Sequence, residues 1–163
     1  MKRNYLALMT CAFLINGSVY ADQNTAVITV NVTIMSPPCE INNNQNIDID
    51  FGESVITTDV IAGKVERKIK YTLDCSSADM ARTLKMRIKG AGADFNADLL
   101  QTSISEMAIR LKTDGANFPL NTDLALASTT TKPELVAALV GKPGAHLPTG
   151  GFTAGATMTV DYQ

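Results

Sequence analysis

Few residues in this chain could do chemistry, and their spacing decides what kind. The one histidine, His146, stands between Gly144-Ala145 and Leu147-Pro148. No acid or nucleophile shares a motif with it, so it reads as a surface loop residue and not as a general base. Asp48 and Asp50 flank Ile49 and could be imagined as an acid–base pair or as calcium ligands. Their spacing is what the wet face of a strand produces, and the calcium-loop pattern is absent. No Ser, His and Asp elements stand in a recognisable motif, and no glycine loop of the phosphate-binding kind occurs. Asn31-Val32-Thr33 matches a glycosylation triplet inside a β-prone stretch. Lys64, Arg67, Lys68, Lys70, Arg82, Lys85, Arg87 and Lys89 lie mostly on polar strand faces, where solvation is the expected state. The residues therefore propose no catalytic group, no metal ligand set and no cofactor.

The compartment comes from the first 21 residues. Lys2 and Arg3 precede a mostly apolar stretch, Tyr5 to Ile15, and Val19-Tyr20-Ala21 fits a small-residue cleavage site. This is expected to be a secretory signal peptide over 1–21, too short for a membrane anchor. No later stretch approaches the ~20 apolar residues of a span, so no membrane insertion is expected. Cleavage before Asp22 leaves 142 residues, enough for one domain with its own core. Loss of Lys2 and Arg3 leaves 12 basic and 16 acidic side chains, a net charge of −4. A mildly acidic surface gives no reason to expect nucleic acid as a partner.

Cys11 leaves with the signal, so Cys39 and Cys75 remain. In an exported chain such a pair reads as one disulfide. It would close a loop of about 37 residues, worth roughly 4 kcal/mol on the chain-entropy model. Two cysteines and one distant histidine supply too few ligands for zinc.

The elements that must position these residues are strands. Ala26, Ile28, Val30, Val32 and Ile34 alternate with Val27, Thr29, Asn31 and Thr33. The same period of two runs through Ile47 to Phe51, Val65 to Cys75, Leu84 to Lys89 and Met107 to Lys112. It recurs at Phe152, Ala154, Ala156, Met158, Val160 and Tyr162, one residue from Gln163. Strands with one buried and one wet face belong to antiparallel sheets. Asparagine, glycine and Lys-Pro-Gly clusters punctuate the runs and predict a β-sandwich. Thr131-Lys132-Pro133-Glu134 looks locally like a helix start, followed by an apolar run too short to assign by period. The uncharged segment Asn24 to Cys39 is a strand that would pair with other chains if left exposed.

Taken in order, these features resemble the pilin subunits of the chaperone–usher pathway. The pieces are Pro37-Pro38-Cys39-Glu40-Ile41-Asn42-Asn43, Asp50-Phe51-Gly52, Cys75, Gly150 and Met158-Thr159-Val160-Asp161-Tyr162-Gln163. The first two look most like the minor, tip-proximal adaptor pilins of P-type pili. The resemblance implies an all-β, incomplete immunoglobulin-like sandwich lacking its last strand. It implies a donor-strand extension over 22–33 and a pilin domain over 34–163.

Ala26, Ile28, Val30 and Val32 would insert into a neighbouring subunit. Phe152, Ala154, Ala156, Met158, Val160 and Tyr162 would border this chain's own groove. The Gln163 carboxylate would anchor on basic residues of a periplasmic chaperone. Implied partners are that chaperone, an outer-membrane usher and neighbouring pilins, with the product a cell-surface fimbrium reached through the periplasm. The family also expects a strand at about Glu134 to Lys142, which favours strand over helix there. Family extensions carry a glycine at one inward position; here Val32 takes that place. The alternative reading is a single-domain carbohydrate-binding adhesin, against which the absence of tryptophan weighs. A secreted hydrolase is the third, and nothing in the residues proposes its nucleophile.

Overall fold

The computed structural model describes residue 32, residues 36–127 and residues 132–163. The chain divides into two compact units, Met1–Thr33 and Ile34–Gln163. The second unit holds the fold.

Its elements in order are β1 (Glu40–Ile41), α1 (Thr57–Ile61), β2 (Glu66–Lys68), β3 (Leu73–Asp74), β4 (Leu84–Gly90) and β5 (Gly92–Ala93). They continue with β6 (Asn96–Gln101), β7 (Met107–Thr113), β8 (Ala116–Asn117), β9 (Asp123–Leu126), β10 (Leu135–Gly141) and β11 (Ala156–Tyr162). One sheet runs β2-β10-β7-β6-β5, with β8 on β7; a second runs β11-β4-β9; β1 pairs β3. All pairings are antiparallel. This is the expected all-β, immunoglobulin-like architecture.

The alternation seen in the sequence sets the packing. On β4, Leu84, Met86 and Ile88 are buried, while Lys85 and Arg87 on the other face are half-buried and Lys89 is exposed. They meet Ile109, Leu111, Leu135 and Leu139 of the facing sheet in one core. Each such side chain contributes about 1.5–3 kcal/mol on burial. The helix-like signal before β10 loses to this packing. β10 lies between β2 and β7, and Leu135, Ala137, Ala138 and Leu139 are all buried. A central strand covered on both faces shows no period of two. Val140 faces the opposite way and packs on a second small cluster of Ala93, Leu99 and Ala108.

Two stretches depart from the sequence reading. The Val65–Cys75 run forms only the short strands β2 and β3, although Ile69, Tyr71 and Cys75 keep their buried parity. Ile47 to Phe51 keeps its alternation of burial but forms no strand. A strand is defined by its pairing, and this segment has no backbone partner among the described residues. No helix among the described residues is long and apolar enough to cross a membrane.

Candidate functional site

The site is a gap in the side of the sandwich. One rim is built from the segment after β1. Asn42, Asn43 and Asn44 hold φ values of 48°, 49° and 58°, a left-handed turn that asparagine tolerates better than most residues. The Asn42 Nδ2 pins the turn by donating to the carbonyls of Gln45 and Asn46. The chain then runs outward along Ile47 and Ile49, half-buried, to Phe51, buried, with Asp48 and Asp50 facing water. At Gly52, φ of 95°, the rim turns, and its N–H donates to Asp50 Oδ1 at 2.7 Å. Arg67, the one polar residue on the apolar side of its run, donates from Nη2 to the Phe51 carbonyl at 2.9 Å. That bond hangs the rim on the β2 edge.

The other rim is the approach to β11. Phe152, Ala154, Ala156 and Met158 line the gap from this side, with Leu147, Pro148 and Gly150 at its far end. Between the rims lies a cleft of about 1180 Å³ whose floor is core: Ile69, Ile88, Leu100, Met107, Ile109 and Leu139. β11 pairs only β4 among the described residues, so its outer edge offers backbone donors and acceptors to the cleft. An apolar floor between two strand edges is what an added strand with alternating apolar side chains fits.

The remaining C-terminal residues lie away from the cleft. Val160 is buried in the core. The Tyr162 hydroxyl accepts from the Asp79 N–H at 2.8 Å and donates to the Pro37 carbonyl at 2.9 Å. Arg82 stacks over its ring, 4.1 Å from the centroid. Gln163 donates its N–H to the Thr83 carbonyl at 3.0 Å and accepts from Thr83 Oγ1 at 3.1 Å. Close by, Cys39 and Cys75 form a disulfide, Cα atoms 4.1 Å apart. In the turn beside it, Asp74 accepts from the Ser76 N–H at 2.9 Å. That bond, with the Ser76 side chain second, holds the Asp74 carboxyl below its ordinary value.

Ala26, Ile28 and Val30 lie outside the described residues. Val32 is described and is 73% exposed. His146 is exposed in its loop. Sequence reasoning did not assign Ile47, Ile49 and Phe51 to the site. Their signal was the alternation with Asp48 and Asp50, which marks a half-buried extended segment and not what it faces.

A family model described as fimbrial protein matches residues 28–163. The fimbrial-like protein YfcQ of Escherichia coli K12 is 34% identical over 169 residues, covering 100% of both chains. YfcR of the same strain is 33% identical over 131 residues, 78% of this chain and 74% of that one. Among solved structures, the P pilus rod subunit PapA shares the fold at a TM-score of 0.61 and 23% identity, over 84% of this chain and 100% of its own. The P pilus adaptor subunit PapF is 25% identical at a TM-score of 0.53, over 78% of this chain and 98% of its own. The chain belongs to the fimbrial protein family and is a pilin of the chaperone–usher type.

Proposed function

We propose that the chain is a structural pilus subunit of the minor, tip-proximal class, contributing to adhesion, and that its cleft is filled by a strand from another protein. In the periplasm the strand comes from a chaperone; at the usher the N-terminal segment of a neighbouring pilin replaces it. Residues 1–21 are removed on export, 22–33 act as the donor extension, and 34–163 form the accepting domain. Ala26, Ile28, Val30 and Val32 point inward when lent. The exchange breaks no covalent bond and assigns no catalytic residue; apolar burial and backbone pairing drive it.

The observation that carries this reading is the cleft itself, with core residues for a floor and, as one edge, β11, whose outer side is unpaired among the described residues. A chain whose core opens this way is stabilised by whatever completes the sheet. The experiment is a stability comparison. Mature protein is released from its chaperone with and without a synthetic peptide of residues 24–35. The peptide is expected to raise the unfolding temperature well above that of the protein alone. A mature chain that stays monomeric and equally stable without either strand would overturn the proposal.

A further inference from the structure

We infer that Arg67 is a positioning residue for strand uptake: by holding the Phe51 carbonyl it turns the backbone groups of Asp48 and Asp50 toward the cleft, and so sets the register of the incoming strand. The inference rests on the strand-filling reading above and adds the residue that aligns the strand. Arg67 stands where an aliphatic side chain would be expected. It is paired with Ala137 of β10, which is buried and lines the cleft. Paired residues of an antiparallel ladder share a face, so the Arg67 stem starts on the apolar side, in step with half-buried Val65 and buried Ile69. Its guanidinium meets no carboxylate among the described residues. It donates instead to two carbonyls, from Nη1 to Glu66 and from Nη2 to Phe51, each at 2.9 Å. The small Ala137 leaves room for the stem, and the rim turns at Gly52 directly beside the guanidinium.

The Phe51 bond matters because the rim has little else to orient its backbone. From Ile47 to Phe51 no backbone–backbone bond joins the rim to a strand among the described residues. A strand in a ladder has its orientation fixed at every second residue; here one guanidinium does that work at one residue. In extended chain the N–H and C=O of a residue point to one side, and those of its neighbours point to the other. With the Phe51 carbonyl turned to Arg67, the groups of Ile49 follow it toward β2. Those of Asp48 and Asp50 then face the opposite way, across the cleft toward β11. Their side chains stay in water, while Ile47, Ile49 and Phe51 keep their apolar side chains on the cleft lining. An incoming strand therefore meets a fixed set of donors and acceptors on this rim. Register is the quantity at stake, since a slip of one residue would turn the strand's apolar side chains out to water.

The test is amide hydrogen exchange, read by NMR, on the full mature chain refolded with the 24–35 peptide. In the wild type the Asp48 and Asp50 amides are expected to be protected about tenfold more than those of Ile49 and Phe51. Arg67→Met keeps the stem and loses the donors; it is expected to cut that difference to about threefold or less while the peptide stays bound. Arg67→Lys keeps one cationic donor head and is expected to recover part of it. An isotope-labelled peptide is expected to give one set of amide resonances on the wild type and more than one on Arg67→Met, the mark of a second register. A lower unfolding temperature for Arg67→Met with the alternation and the single set unchanged would be a merely structural role, and overturns the inference. Protection of Ile49 and Phe51 in place of Asp48 and Asp50 in the wild type overturns it without any variant, and leaves strand filling standing. A peptide that neither binds nor stabilises the wild type overturns both.

Discussion

Phe51 and Phe152 meet across the cleft, their ring centroids 5.9 Å apart and their planes tilted by 48°. One ring belongs to each rim. The pair closes one point of a gap that is otherwise open, at a centroid separation within the roughly 4.5–7 Å range of interacting aromatic rings. It also ties Phe51, whose carbonyl is already held by Arg67, to the approach of β11.

Truncating this pair is expected to loosen the rims unequally. Phe51 is buried, so Phe51→Ala is expected to cost about 3 kcal/mol in the peptide-complemented protein. Phe152 is half-buried, and Phe152→Ala is expected to cost about half of that. Denaturant unfolding measures both. Equal, small losses would show that the rims are held apart from the rings.

Charge on the inward face of the extension is expected to block lending without blocking folding. Ile28→Asp and Val30→Asp each place a carboxylate where the proposed acceptor is apolar, and burying it unpaired is strongly unfavourable. Both variants are expected to form normal chaperone complexes and to enter fibres at least 100-fold less than wild type. Fibre quantification in mixed assemblies reads this directly, and normal entry would remove the donor role.

How much of this could be read from the chain depended on which interactions are local. The strands β4 and β11 were legible because Leu84, Met86 and Ile88, and Met158 and Val160, repeat at a spacing of two. The β10 segment was legible only through family resemblance, since a strand covered on both faces carries no alternation and Thr131 and Pro133 imitate a helix start. The rim was half legible: Ile47, Ile49 and Phe51 declare an inward face, but nothing in them says that this face looks into a cleft. The helix α1 was missed because Thr57-Thr58-Asp59-Val60-Ile61 is rich in β-branched residues, and its place is fixed by the burial of Val60. Strand β9 was missed because its reason lies 36 residues away, where Arg87 meets Asp123.

That pairing predicts an acid limb to stability. Asp123 accepts from Arg87 Nε at 2.5 Å and from Lys85 Nζ at 3.0 Å. Arg87 first, and Lys85 second, hold its carboxyl below the ordinary value. A lowered folded value means that the stabilisation is present above the unfolded value near 3.9 and is lost as pH falls through the folded one. Unfolding temperatures taken between about pH 2 and pH 7 are expected to fall more steeply for wild type than for Asp123→Asn. Parallel curves would show that the cluster does not steady β9 on β4.

At the alkaline end the relevant group is Tyr71. Its hydroxyl donates to the Pro133 carbonyl at 2.7 Å, fastening the chain just before β10 to the core. Lys132 Nζ lies 4.6 Å from the ring centroid. Burial, and then the charge of Asp114, push the phenol up to about 12. The folded protein therefore favours the protonated phenol, and this contribution is complete below the ordinary value near 10 and fades as pH climbs toward 12. At neutral pH, Tyr71→Phe is expected to cost about 1 kcal/mol for the lost hydrogen bond. Above about pH 10 the difference from wild type is expected to shrink, because the variant has no phenol to ionise. Denaturant unfolding at pH 8 and pH 11 measures that narrowing. Phenolate absorbance is expected to show a titration near pH 12 in the folded wild type that Tyr71→Phe lacks. A wild-type protein whose phenols have all titrated by pH 10.5 while still folded would mean that Pro133 is not held this way.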